Sequence, residues 1–323
     1  MAVKTIDRTA TRFLWLDLTR KCQLSCVHCY NASGPDGDHG AMSREDWGNL
    51  LDQAAGCGVR HVQLIGGEPT MHPHAAELVD RALTIGLAVE VYSNLVHVAD
   101  AWWRLLRRPG VALATSYYSD QAAEHNAMTR RPSHARTRAN IEKAVRLGIP
   151  LRVGIVAADE GQRVGDARAE LRSLGVRTIG VDHVRPFGRG AGERVSDPSE
   201  LCGRCGDGRA AIGPDGAVAP CVFADWLAVG NVRETPLATI LDSGAMAAAN
   251  ATIRRAVLAG HSPPVRDCGP DNCGPKQRCY PDQTPCYPAQ TPCYPKGDFP
   301  PACHPDDQEC KPGTPLSVCD PRR

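Results

Sequence analysis

Three closely spaced cysteines are the feature of the sequence with the clearest chemical meaning. Cys22, Cys26 and Cys29 follow a short apolar run and have the spacing Cys-x3-Cys-x2-Cys. Three thiolates on one short loop can hold three irons of a 4Fe–4S cube and leave the fourth iron without a protein ligand. Zinc sites favour four protein ligands in two close pairs, and bacterial ferredoxins use Cys-x2-Cys-x2-Cys. The spacing therefore favours a cluster with one open iron over structural zinc or an electron carrier.

A second motif, Gly66-Gly67-Glu68-Pro69, follows the next apolar run along the chain. Paired glycines allow a backbone to approach a ligand closely and leave its polar groups accessible. On its own such a turn is common in ordinary loops. Its position one strand after the cysteines indicates a ligand site beside them.

The two motifs in this order resemble the signature of the radical S-adenosylmethionine (SAM) superfamily. The resemblance implies that the three cysteines bind a 4Fe–4S cluster and that SAM chelates the open iron. It also implies that the motif at residues 66–69 binds the amino group of SAM, with the Glu68 carboxylate as a charge partner. Reductive cleavage of SAM would then yield a 5′-deoxyadenosyl radical that abstracts hydrogen from a substrate.

Polar residues at the ends of later strands are further candidates for SAM binding. Asn94 follows the third apolar run and Ser116 ends the fourth, where the resemblance implies contacts to the SAM ribose and carboxylate. A helix N-cap or a turn is the alternative role for both residues. Arg185, after the sixth run, would reach the SAM carboxylate or lie in a solvated loop.

One pair of motifs departs from the pattern of peptide-modifying relatives. His125-Asn126 stands where those relatives often have His-Asp, and Arg130-Arg131 stands where they often have Arg-Gly. Because Asn126 departs from the pattern, no specific role is assigned to these residues.

The elements that position these residues alternate between strand and helix. Alternation of this kind predicts a parallel sheet with crossover helices. Six units are too few for an eight-stranded barrel, so we expect an α/β fold with a partial (β/α)6 barrel and its chemistry at the carboxyl ends of the strands. The predicted strands are residues 13–18, 61–65, 88–92, 111–115, 151–156 and 178–181. The first predicted helix begins near Ser43. The other predicted helices cover residues 73–85, 100–106, 134–147 and 160–174.

A second set of cysteines follows the predicted barrel. A short hairpin is expected at residues 212–216 and a helix from about Pro236. The cysteine pattern resembles a SPASM extension, which carries up to two auxiliary 4Fe–4S clusters. The resemblance assigns Cys202, Cys205 and Cys221 to the nearer cluster, Cys268, Cys273 and Cys279 to the outer one, and Cys286 or Cys293 to the remaining positions.

The end of the chain allows a different interpretation. Cys-Tyr-Pro recurs at Cys279, Cys286 and Cys293, and the proline content excludes regular helix or sheet. The composition of this segment is typical of disorder, so zinc binding or no ligation stays open, and Cys303, Cys310 and Cys319 receive no role. The predicted domains are a barrel at 1–192, a SPASM-like domain at 193–299 and a Pro- and Cys-rich tail at 300–323.

Composition narrows the function classes. The 323 residues carry a formal net charge of +1 and include 15 cysteines. The sequence has no basic domain or tail that would indicate nucleic-acid binding. It also has no apolar run long enough to span a membrane. The N-terminus has no signal-peptide pattern, so the cysteines favour metal binding in a reducing cytoplasm over disulfides.

SPASM-bearing radical SAM enzymes mostly modify peptides, so the resemblance implies a maturase of a ribosomally synthesised peptide or protein. The alternatives are a radical SAM dehydrogenase or epimerase acting on a small molecule, and a non-catalytic metal or iron–sulfur protein. The resemblance also implies an electron donor such as flavodoxin or ferredoxin. Since the first strand begins near residue 13, we expect no leader-peptide recognition domain before it and no cobalamin domain, and recognition would fall to a separate protein or to the barrel mouth.

Overall fold

The computed structural model describes residues 11–158, 161–203, 205, 206 and 208–260. Five predicted metal ligands lie outside the described residues: Cys268, Cys273, Cys279, Cys286 and Cys293. The tail predicted at 300–323 lies outside them as well.

The strands form one open nine-stranded sheet in the order β6-β5-β4-β3-β2-β1-β7-β8-β9. In this order, each pair of neighbouring strands from β6 through β1 to β7 is parallel. Strand β8 pairs antiparallel with β7 and with β9. The sheet confirms the predicted partial barrel, and the pairing of β7 with β1 continues it into the C-terminal half of the described chain. The strands are β1 Phe13–Asp17, β2 His61–Ile65, β3 Ala88–Tyr92, β4 Val111–Tyr117, β5 Leu151–Ala157, β6 Thr178–His183, β7 Arg209–Ile212, β8 Ala217–Ala219 and β9 Gly230–Asn231.

Eight α-helices occur in the described residues. The first begins after Ser43, as predicted, because the Ser43 hydroxyl accepts from Asp46 N while the Asp46 carboxylate accepts from Ser43 N. The helices are α1 Arg44–Gly56, α2 Ala75–Thr84, α3 Asp100–Leu106, α4 Ala122–Thr129, α5 His134–Arg146, α6 Val164–Ser173, α7 Leu237–Leu241 and α8 Gly244–Gly260.

The single helix predicted from about Pro236 is divided at residues 242–243 into α7 and α8. Two helices of the barrel also differ from the prediction. The fourth, α4, is not predicted because its buried residues are His125 and Thr129, so it lacks the apolar spacing that reveals the other helices. The sixth, α6, begins at Val164 instead of residue 160. The reason is Gln162, whose amide donates to Tyr118 O and Val156 O (2.6 and 2.8 Å) and ties the preceding turn to the ends of β4 and β5.

Alternate residues of the parallel strands face opposite sides of the sheet. Leu14 and Leu16 of β1 lie in the main hydrophobic core beside helix residues such as Trp47 and Leu50. Trp15, between the two leucines, faces the other side and lines a cavity. The period of two along each strand therefore separates a helix-covered core from a cavity-lining face. Among the described residues, no helix combines the length and apolar character needed to span a bilayer.

Candidate functional site

A cavity of about 430 Å³ lies against the inner face of the parallel strands. The lining includes Trp15 of β1, Gln63 of β2, Tyr92 of β3, Ser116 of β4 and Gly154 of β5. One wall is formed by the cysteine loop, which we define as residues 20–34. Side chains from separate strands therefore converge on one space, as the predicted barrel required.

Cys22, Cys26 and Cys29 all line this cavity. Cys22 is buried, and its Sγ accepts from Leu24 N and Asn94 Nδ2 (3.4 and 3.6 Å). Burial raises the pKa of the Cys22 and Cys26 thiols to about 12. Both thiols therefore stay protonated near neutral pH unless a cationic group binds and displaces the proton.

The Gly-Gly-Glu-Pro turn (residues 66–69) packs directly on the cysteine loop. Gly67 N donates to Thr19 O and Glu68 N donates to Lys21 O (2.7 and 2.9 Å). A Cβ on Gly67 would lie 2.2 Å from Lys21 O, and Gly66 has φ +130°. Glycine is therefore required at both positions for this approach, and the turn presents the two glycines to the cavity.

Glu68 itself is fully buried and is absent from the cavity lining. Its Oε1 accepts from the Thr70 backbone N–H and hydroxyl (3.1 and 2.7 Å), and its Oε2 accepts from Asn94 N (2.8 Å). Burial raises the pKa of this carboxyl, and the hydrogen bonds oppose that shift. The carboxylate thus connects the turn to the end of β3.

The other three residues proposed from the resemblance all line the cavity. Asn94 exchanges amide hydrogen bonds with Gln23 of the cysteine loop (3.0 and 3.2 Å). The Ser116 hydroxyl is hydrogen-bonded to the Tyr92 hydroxyl (3.0 Å). Arg185 donates to Asp182 at 3.0 Å and to Glu200 O at 3.3 Å. The fold therefore brings all three residues to the space that the cysteines border.

Sequence reasoning missed an aromatic and imidazole cluster in the cavity wall. The Tyr118 ring lies between His28 and His125, with ring centroids 4.9 and 5.0 Å away. Burial lowers the pKa of His28 to about 4 and that of His125 to about 3, so both imidazoles are neutral near pH 7. The Nδ1 atoms of both rings are buried without a hydrogen-bond partner among the described residues. Two sequence signals point to members of this cluster: the position of His28 between two cysteines and the His125-Asn126 motif.

The departure at Asn126 has a structural explanation. Its amide oxygen accepts from Ser133 N and His134 N (2.8 and 3.0 Å), the first turn of α5. An aspartate carboxylate could accept the same two hydrogen bonds, so asparagine retains this capping function. Arg130, at the end of α4, adopts a left-handed conformation with φ +59°.

The later cysteines in the described part of the chain also come together. The Cys205 thiol is hydrogen-bonded to the thiols of Cys202 and Cys221, and these contacts raise its pKa. The hydrogen bond from Cys205 lowers the pKa of Cys221. Cys205 and Cys221 are buried in a second hydrophobic cluster with Phe187. Cys57 instead lies at the end of α1 and packs against the main core.

Aromatic rings lie between the two cysteine groups. Tyr30, directly after Cys29, contacts Phe223 edge-to-face with centroids 5.0 Å apart. Phe223 stacks on Phe187 at 5.9 Å. The cysteine loop and the Cys205–Cys221 cluster are thus joined through a packed apolar contact.

Two protein families match separate parts of the chain. The model of the radical SAM superfamily matches residues 16–160, and the model of SPASM, an iron–sulfur cluster-binding domain, matches residues 202–274. The chain therefore carries a radical SAM domain that contains the cysteine loop and a SPASM domain that begins at Cys202.

Curated relatives match part of the chain. The PqqA peptide cyclase of Methylobacterium sp. (strain 4-46) is 31% identical over 185 residues, which are 54% of this chain and 47% of that protein. The subtilosin biosynthesis protein AlbA of Bacillus subtilis (strain 168) is 28% identical over 178 residues, which are 54% of this chain and 40% of that protein. The chain therefore matches less than half the length of each of these relatives.

Solved structures show the same fold. SuiB of Streptococcus suis, crystallised with its precursor peptide SuiA, aligns with a TM-score of 0.62 at 15% identity. The alignment covers 76% of this chain and 67% of SuiB. At this identity the likeness concerns the fold.

The residues present fit the groups that define this family. Soft thiol donors from one loop face a cavity, which suits iron–sulfur ligation. The Gly66-Gly67 backbone lines the same cavity beside them. The donor set and this turn are therefore compatible with a cluster and a small polar ligand next to it.

Proposed function

We propose that this chain is a radical SAM enzyme that cleaves SAM reductively and modifies a ribosomally synthesised peptide or protein. The observation that carries the proposal is the meeting of the three cysteine thiols and the Gly66-Gly67 backbone at one cavity. The match of residues 16–160 to the radical SAM family supports the same chemistry.

The cofactor supplies the radical, and the chain supplies ligation and orientation. When bound, the 4Fe–4S cluster and SAM provide a 5′-deoxyadenosyl radical that abstracts a hydrogen atom from the substrate. Cys22, Cys26 and Cys29 would hold the cluster. The Asn94 amide, which donates to Cys22 Sγ, would keep that thiolate in place.

The Gly-Gly-Glu-Pro turn and two further residues that line the cavity would bind SAM. Gly66, Gly67 and Pro69 would shape the turn that meets the SAM amino group, and Ser116 and Arg185 would meet its polar groups from the strand side. Glu68 would act by holding the turn to β3, because both of its oxygens already accept hydrogen bonds. The surrounding strands would exclude water from the radical.

Two observations support a peptide as substrate. The relatives include proteins named PqqA peptide cyclase and a bacteriocin biosynthesis protein. The edge strand β6 is exposed along nearly its whole length, and Gly180, Asp182 and His183 on it line the cavity. An extended chain could therefore reach the radical from this edge.

Auxiliary clusters complete the proposal. The contact of Cys205 with Cys202 and Cys221 supports one auxiliary 4Fe–4S cluster. The ligands of a second auxiliary cluster, and those that complete the first, would be among Cys268, Cys273, Cys279, Cys286 and Cys293. The domain limits at residues 192 and 299, the flavodoxin or ferredoxin donor, the separate leader-recognition protein and the cytoplasmic location stay predictions.

The test is anaerobic reconstitution with iron and sulfide, followed by reduction in the presence of SAM and measurement of 5′-deoxyadenosine. The triple variant Cys22→Ala, Cys26→Ala and Cys29→Ala should form none. Cys57→Ala is the matched control, since Cys57 packs against the core away from the cavity, and it should form as much as the wild type. Undiminished 5′-deoxyadenosine in the triple variant would refute the proposal.

The substrate class needs a second measurement. Co-expression with the genes that flank this one, followed by mass spectrometry of short peptides, should show a peptide whose mass changes only with the wild-type chain. A small-molecule product, together with unmodified peptides, would leave SAM cleavage intact and overturn the peptide assignment.

A further inference from the structure

The segment after β6 lies directly on the cysteine loop. Its Arg189 guanidinium donates to Cys26 O, Ala32 O and Ser33 O at 2.8, 2.7 and 2.6 Å. The Arg189 backbone N–H donates to Cys29 O at 2.9 Å. One residue thus satisfies four carbonyl groups of the loop that carries the three cysteines.

Glycines on both sides of Arg189 make this approach possible. Gly188 has φ +51°, and a Cβ there would lie 2.3 Å from Tyr30 O. A Cβ on Gly190 would lie 2.6 Å from Arg185 O and 3.3 Å from His28 O. The close contact between the two backbones is therefore a built feature of the fold.

Only an arginine can make this set of contacts. A guanidinium offers five N–H donors in a rigid plane, whereas a lysine ammonium is a single point of charge on a flexible stem. Among the described residues no carboxylate forms an ion pair with Arg189. Its three side-chain hydrogen bonds go to carbonyl groups of the cysteine loop instead, so its positive charge lies against the loop that carries the cysteines.

We propose that Arg189 is a positioning residue that fixes the backbone of the cysteine loop and, through its positive charge, favours the reduced state of the cluster held there. The first half concerns the polypeptide alone. The second half rests on the proposed function. Reduction adds negative charge to a cluster, so a nearby cation raises the reduction potential and its removal lowers it.

The first experiment measures hydrogen–deuterium exchange of residues 20–34 in the metal-free full chain. The amides of Ala32 and Gly34, which donate to Cys29 O and Arg20 O, should exchange at least tenfold faster in Arg189→Gln, with Arg189→Lys intermediate. Arg194→Gln is the matched control, because Arg194 lies on the same segment but its side chain bonds only to Ala191 O in the described residues. Wild-type protection of the loop in Arg189→Gln would overturn the proposal. If exchange rises along the whole chain of Arg189→Gln, that variant has lost its fold, and Arg189→Lys takes its place in the test. The cysteine loop of the folded lysine variant must then exchange faster than that of the wild type.

The second experiment measures the midpoint potential of the reconstituted cluster by titration followed with electron paramagnetic resonance. Arg189→Gln should lower the ratio of reduced to oxidised cluster at least tenfold at a fixed potential, equal to about 59 mV for one electron. Arg189→Lys, which keeps the charge, should shift by less than half of that. A potential in Arg189→Gln at or above the wild-type value would overturn the electrostatic half. If the wild type holds no cluster, the proposed function fails, and the exchange result still stands on its own.

Discussion

A methyl group on Gly67 should separate the Gly-Gly-Glu-Pro turn from the cysteine loop. The Cβ of Gly67→Ala would lie 2.2 Å from Lys21 O and 2.7 Å from Lys21 C. Both atoms belong to the backbone, so no rotation of a side chain can relieve the overlap. The turn must move by about 1 Å to restore an ordinary van der Waals distance.

The size of the effect follows from the contacts that this movement breaks. Gly67 N→Thr19 O and Glu68 N→Lys21 O would both lengthen beyond hydrogen-bond distance, at about 1 kcal/mol each. Overpacking in a closely packed site costs a further 1–3 kcal/mol, roughly. The free energy of unfolding should therefore fall by about 3–5 kcal/mol in total.

The assay is urea unfolding of metal-free protein, with Gly48→Ala as the matched control. Gly48 lies inside α1, and a Cβ added there would have no neighbouring atom within 4 Å, so alanine at this position should stabilise the helix by about 1 kcal/mol. The two glycine-to-alanine changes should thus have opposite signs. Equal stability of Gly67→Ala and the wild type would show that the turn and the loop are not in close contact.

Three further predictions concern buried polar groups. Glu68→Gln should lower the free energy of unfolding by about 1–3 kcal/mol, because the glutamine NH2 group would face a backbone N–H that now donates to the carboxylate. An unchanged urea midpoint at pH 7 would contradict this. Burial lowers the pKa of His125 to about 3, so only the unfolded state gains its proton below about pH 6.5, and stability should fall by up to about 1.4 kcal/mol per pH unit on acidification. His125→Gln should remove this contribution to the pH dependence of the free energy of unfolding between pH 6 and 4. The same pH dependence in the variant and the wild type would exclude the effect. Tyr117→Phe removes the hydroxyl that contacts His134 Nε2 and Glu170 Oε2 (2.8 and 2.7 Å), and a loss of about 1–2 kcal/mol should be visible in thermal unfolding, whereas no loss would mean that water replaces the hydroxyl.

The strands could be predicted because their apolar residues are local signals. Residues 61–65 and 88–92 match β2 and β3, since each run is short, buried and bounded by turn residues. Strand β4 extends two residues beyond the prediction because Ser116 and Tyr117 still pair with Gly154 and Ile155. Such pairing depends on a partner far away in the sequence and leaves no local trace.

The cavity residues divide in the same way. The cysteines could be predicted because their type and spacing carry the chemistry. Tyr118 could not, because an isolated aromatic residue is more often an ordinary core residue than part of a site. His125 belongs to a motif that the sequence singles out, but its place in the cavity wall could not be predicted. Their position follows from the end of β4 and from α4, a helix whose buried face is polar.

Arg185 and Arg189 show how far a motif can locate a function. The sequence directs attention to Arg185 because it closes the sixth strand, and the structure does bring its side chain to the cavity. The left-handed Gly188 then turns the chain back toward the cysteine loop, so the four donors of Arg189 meet carbonyl groups more than 150 residues earlier in the chain. A spacing rule along the sequence contains no information about such a return. Arg189, which donates four hydrogen bonds to the cysteine loop backbone, therefore becomes visible only when the two segments are placed against each other. Its substitution should disturb the loop more than a change at Arg185.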